Sequence, residues 1–225
     1  MIRIHNKPHR FCLLSFIGTI GLTLIASSIK ISFIVGSFYS FFSINNSVAP
    51  LAGAFGGVAG SFLLSFIRLI TKFYTTGSLI PLILILQLPT LGACLYWASS
   101  SPLVRVLVPA ACMILFGVHP VGSLAWTYSL LWLIPIALHL VPKKGIFLDS
   151  LGSTYIAHAI GSVIWLYSKS MPPAVWIALI PVALTERTLF AMGMTATYYA
   201  MVTIEQRYAP KIMRLFTRTT QPLSS

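Results

Sequence analysis

Residues 151–168 read LGSTYIAHAIGSVIWLYS. The stretch is long and apolar enough to cross a bilayer as a helix, yet it holds His158 near its middle. On a helix, Thr154, His158, Ser162 and Trp165 share one face through steps of three and four residues, with Gly152 and Gly161 close beside it. A polar stripe turned toward hydrocarbon costs free energy unless each group finds a partner. This face is therefore expected to look inward, at other helices or at a cavity that they share.

The totals point the same way. Of 225 residues, 57% are hydrophobic and 8% are charged, and the mean hydropathy is +0.89. Soluble domains carry about 25% charged residues. The expected fold is all-α, a polytopic transmembrane helix bundle of six to eight segments; the strand alternation of a membrane β-barrel is missing. The net charge of +12 could suggest nucleic acid, but its placement argues for a lipid bilayer instead. Arg3, Lys7 and Arg10 precede the first apolar run, and Arg207, Lys211, Arg214 and Arg218 follow the last. Basic flanks mark cytoplasmic ends and attract anionic headgroups. The expected location is a cell membrane of the bacterial inner-membrane kind, with both termini cytoplasmic. Cys12, Cys94 and Cys112 show no CxxC spacing and read as buried hydrophobes.

Working outward, the chain divides into a basic tail (1–10), one transmembrane helical domain (11–203) and a second basic tail (204–225). The run 11–28 has the layout of a signal peptide and of an uncleaved first span; the span is preferred because further membrane segments follow at once. Thr19, Thr23 and Ser27 form a small-residue ridge on it, suited to helix packing. Residues 31–43 rise only about 20 Å as a helix, which reads as a short tilted crossing or a re-entrant segment. Within 47–70, Gly53, Gly56, Gly57 and Gly60 give two overlapping G-x-x-x-G spacings, a helix-packing signature that Arg68 and Lys72 close. Pro89 is expected to kink a crossing over 78–98, Arg105 to snorkel at the start of 102–118, and Trp126 and Tyr128 to anchor at an interface. Glu205 reads as a solvated charge beside Arg207.

Three further polar residues stand out. His119 precedes Pro120 and Gly122, an irregular backbone beside an apolar run that is tolerated at depth only under cover. Glu186 and Arg187 lie inside the last run, which is about 45 Å long if helical and so exceeds one upright crossing. Adjacent helical residues point about 100° apart, so each is expected to find another partner. No Walker A sequence, HExxH or G-x-S-x-G occurs, and only Asp149, Glu186 and Glu205 are acidic. Neither a metal nor a cofactor is expected.

The segment Ala49 to Gly60, APLAGAFGGVAG, following the short 31–43 piece, resembles the substrate-binding S-components of energy-coupling factor transporters. The likeness covers mainly residues 11–70. It implies a membrane receptor for a vitamin or micronutrient, coupled to a separate transmembrane subunit and ATPases. Where that family carries Ala-x-x-x-Ala on its first helix, this chain has Thr19, Thr23 and Ser27.

The resulting expectation is a solute-uptake protein binding a small vitamin-like molecule between helices. His158, Trp165, Thr154 and Ser162 would line the site, with His119 as a hydrogen-bonding contact and Glu186 and Arg187 as polar anchors. The alternatives are a lipid-directed enzyme using His and Glu as base and acid, and a non-catalytic assembly subunit.

Overall fold

A computed structural model describes residues 12–27, 30–33, 41–77, 84–142 and 144–219. It is helical but for one short antiparallel strand pair, β1 (Lys30–Phe33) with β2 (Phe41–Ser43). The piece expected to be a short helical crossing is therefore a strand at each end, which suits its β-branched and aromatic content.

The helices are α1 (Leu13–Ala26), α2 (Leu51–Thr76), α3 (Leu88–Ala98), α4 (Val108–Val118), α5 (Pro120–Leu124), α6 (Trp126–Ser129), α7 (Leu133–Leu140), α8 (Ile146–Ser168) and α9 (Pro173–Thr219). A five-residue π-helical segment, Leu103–Leu107, leads into α4. Among the described residues, two helical stretches are long and apolar enough to cross a membrane by length and composition, Leu51–Thr75 and Pro173–Lys211. The helix α8 has the length, but its inward row of serines, threonine and histidine keeps it below that apolar standard. The last helix extends past the apolar run, continuing to Thr219 through Pro181 and Pro210.

The helices α3, α8 and α9 alternate in direction. Ser153 donates to the Ala93 carbonyl at 2.9 Å, while Gly152 rests on Tyr96 and Gly161 faces Pro89, so α3 and α8 are antiparallel. Ser150 meets Thr195 at 3.1 Å and Thr154 meets the Arg187 carbonyl at 3.5 Å, so α8 and α9 are antiparallel too. Of three buried clusters among the described residues, two are large. One centres on Phe116, Tyr128, Trp132 and Trp176, the other on Phe16, Phe55, Leu64, Cys94 and Met194.

The glycine ridge divides its labour. A Cβ at Gly53 would overlap the Cys94 carbonyl, so α2 and α3 touch backbone to backbone there. Gly56 and Gly60 receive the Phe16 ring of α1, where added Cβ atoms would lie 2.6 and 2.8 Å from ring carbon. Gly57 does something else. Its φ of 62° and ψ of −155° bend α2 in a region of backbone space open essentially only to glycine, and nothing lies within 4 Å of its missing Cβ. On α1, Thr19 and Thr23 are buried as a packing ridge requires, but Ser27 is exposed beyond the helix end.

Two charged residues, Arg105 and Glu205, differ from their sequence reading. Arg105 does not snorkel: it is buried, donates to the Ser99 and Tyr96 carbonyls at 3.0 and 2.9 Å, and lies 3.6 Å from Asp149. Lys144 joins the same cluster, 3.7 Å from Asp149. Burial, and then the neighbouring Arg105, pull the Lys144 ammonium below its ordinary range, while Asp149 opposes them. Glu205 is not simply solvated, because its carboxylate accepts the Ser15 N–H at 2.6 Å and the Ser15 hydroxyl at 2.8 Å. A carboxylate at the first turn of α1 satisfies an orphan donor and complements the helix dipole.

Candidate functional site: a cavity between α2, α3, α6, α8 and α9

The small and polar residues of α8 leave a hollow between that helix and α9. The hollow has a volume of about 290 Å³, at the lower edge of the roughly 300–1,000 Å³ of small-molecule sites. Thr154, His158, Ser162 and Trp165 all line it, as their helical spacing requires. Glu186 and Arg187 enter from α9, and Trp176 closes one wall. Six of the seven residues singled out as ligand contacts thus share one cavity.

His119 does not. It borders a separate, more open hollow with Tyr167 and Lys169, and its Nδ1 accepts the Val121 N–H at 3.2 Å. That bond caps α5, and the imidazole ring packs edge-on against Tyr167 at 4.9 Å between centroids. The irregular backbone at Pro120 is accounted for by this cap.

The polar groups of the main cavity are ordered by specific bonds. The Tyr128 hydroxyl lies 3.0 Å from His158 Nε2 and 3.1 Å from Ser162 Oγ. Tyr128 is buried, not an interfacial anchor, whereas Trp126 is exposed. A tyrosine held by two α8 side chains fixes both the α6–α8 spacing and the orientation of the imidazole. Thr154 donates to the Leu151 carbonyl at 2.8 Å, tying its hydroxyl to its own helix.

Glu186 and Arg187 are in contact, contrary to the expectation from their adjacency: Arg187 Nη2 is 3.5 Å from Glu186 Oε2. The long arginine side chain reaches back around the helix, which backbone geometry alone does not reveal. Arg187 is buried and stacks 4.8 Å from the Phe190 ring centre.

Arg68 and Asn46 are among the lining residues that the sequence reading missed, with Tyr128 and Trp176. Arg68 was placed at a span end, but it faces the cavity and donates from Nη1 to Thr90 Oγ1 at 3.2 Å. Asn46, which marks a turn in the sequence, also borders the hollow. Pro89 belongs to the wall as well, and it occupies the first turn of α3, directly after a turn at 86–87 that interrupts the helical path, where its missing N–H costs nothing. Among the described residues, no three His, Cys, Asp or Glu side chains assemble as a metal-binding set.

The arrangement can enclose a small molecule with flat aromatic walls, two guanidinium groups, one carboxylate and several hydroxyls. No protein-family model, curated protein or solved structure matches the chain.

Proposed function

We propose that this is a multi-pass membrane protein of six to eight segments that binds a small, polar, ring-bearing solute in the α8–α9 cavity. The observation that carries the reading is the convergence of Thr154, His158, Ser162, Trp165, Glu186 and Arg187 on one hollow. Membrane placement is supported by the many large apolar side chains on the outer surface, among them Leu13, Ile17, Ile25, Leu189 and Met192. The Ser15–Glu205 bonds set the start of α1 beside the stretch of α9 that leads to Arg207 and Lys211. The end of the bundle that holds the start of α1 and the Arg207–Lys211 stretch of α9 is assigned to the cytoplasmic face.

In this reading energy comes from separate subunits of the S-component kind, a membrane coupling protein and ATPases, because the chain has no Walker A sequence. The enzyme alternative needs His158 and Glu186 within hydrogen-bond reach of each other, whereas His158 pairs with Tyr128 and Glu186 with Arg187.

The test is mass spectrometry of small molecules released from protein purified in mild detergent, comparing wild type with Gly161→Leu. An added Cβ at Gly161 makes only ordinary contact, with Pro89 Cγ at 3.8 Å, so the backbone accommodates a side chain there and the leucine narrows the hollow that Gly161 lines; an unchanged size-exclusion profile checks its fold. One compound accompanies the wild type and falls about tenfold or more in the variant, a loss of roughly 1.4 kcal/mol in binding. No released compound, or the same yield from both proteins, contradicts the reading.

A further inference from the structure

We propose that the ligand of this cavity is a small monocarboxylate carrying a flat ring, with its carboxylate held by the Arg68 guanidinium; the inference rests on the solute-binding reading above. The ionisable lining groups are two guanidiniums, one carboxylate, one imidazole and the Tyr128 phenol. Glu186 lies against Arg187. Arg68 bonds the neutral Thr90 hydroxyl, and no carboxylate among the described residues forms an ion pair with it. A guanidinium stays charged at every working pH and offers five donors in a planar fork. A cation removed from bulk water is costly until an anion sits against it, and a carboxylate matches the fork in bidentate fashion.

A second, independent donor is waiting. The indole N–H of Trp176 is buried and has no acceptor among the described residues, although Trp176 lines the hollow. Buried donors are normally satisfied, so an acceptor oxygen on the ligand accounts for it. The faces of Trp165 and Trp176 suit a planar ring. Glu186 in the same wall selects against a dianion such as phosphate, because like charges at short range disfavour each other.

The experiment follows tryptophan fluorescence and the thermal midpoint of the full-length protein in detergent, titrated with benzoate and with benzamide. The two have the same shape, and only benzoate is charged. Benzoate quenches and stabilises the wild type at a concentration about tenfold or more below benzamide, as expected for a charge-assisted bond. Arg68→Gln abolishes the difference, while Lys211→Gln, on the exposed C-terminal part of α9, retains it. Equal responses to both compounds, no response to benzoate, or a benzoate preference that survives Arg68→Gln overturns the carboxylate assignment. The comparison within the wild type decides the matter even if Arg68→Gln fails to fold. A compound that co-purifies with the wild type alongside a failed benzoate titration leaves solute binding standing and removes only the carboxylate. Failure of both removes the two together.

Discussion

Gly53→Ala gives no folded protein in detergent, while Gly21→Ala behaves as wild type. The alanine Cβ at position 53 would fall inside the Cys94 carbonyl, and both partners are main chain, so neither can rotate away. Relief requires α2 and α3 to separate, and that opens the core around Leu51, Ala52 and Cys94, all fully buried. Ordinary overpacking costs about 1–3 kcal/mol because side chains give way; with main chain on both sides the cost here exceeds about 4 kcal/mol. At Gly21 an added Cβ meets nothing within 4 Å. Size-exclusion profiles and thermal unfolding of the two variants, side by side, check the contrast. A well-folded Gly53→Ala protein would show that α2 and α3 are not in backbone contact.

The second large effect is at Arg105. Arg105→Met removes two hydrogen bonds to carbonyls at the end of α3 and beyond it, the contact with Asp149, and the cation 4.3 Å above the Tyr96 ring. Breaking one partner of a buried ionic cluster costs about 3–5 kcal/mol, far more than an exposed pair. Lys144 stays near Asp149 and limits the loss on the carboxylate side. The double variant Arg105→Met/Asp149→Asn is therefore less destabilised than the sum of the two single changes. Denaturant unfolding in mixed micelles measures that coupling. Additive losses would mean that the two side chains do not interact.

What the sequence made legible was the face of a helix, and what it hid was depth and neighbour. The α8 stripe was readable because steps of three and four residues depend only on helical geometry, and Thr154, His158, Ser162 and Trp165 do share the cavity. Tyr128 looked interfacial because an aromatic near a tryptophan in an apolar run has the same composition whether it faces headgroups or a histidine 30 residues away. Arg68 looked like a span end because Lys72 follows it by one turn; the bend at Gly57 changes where that part of α2 points. Glu205 and Arg105 found their partners across the fold, at sequence separations of 190 and 44 residues. The strand pair escaped because a short apolar run carries no periodic signature to separate strand from helix.

Thiol labelling in native membranes tests the central claim most directly. Ala157 lines the cavity and Leu189 lies on the outer face, so Ala157→Cys and Leu189→Cys are treated with a small hydrophilic thiol reagent against the wild-type background of Cys12, Cys94 and Cys112. Only the thiolate reacts, and it does not form in hydrocarbon. A water-accessible hollow inside a membrane-embedded bundle predicts labelling at 157 and none at 189. Labelling at 189 with none at 157 would describe a closed bundle bathed in water, and the account of a solute-binding membrane protein would be wrong.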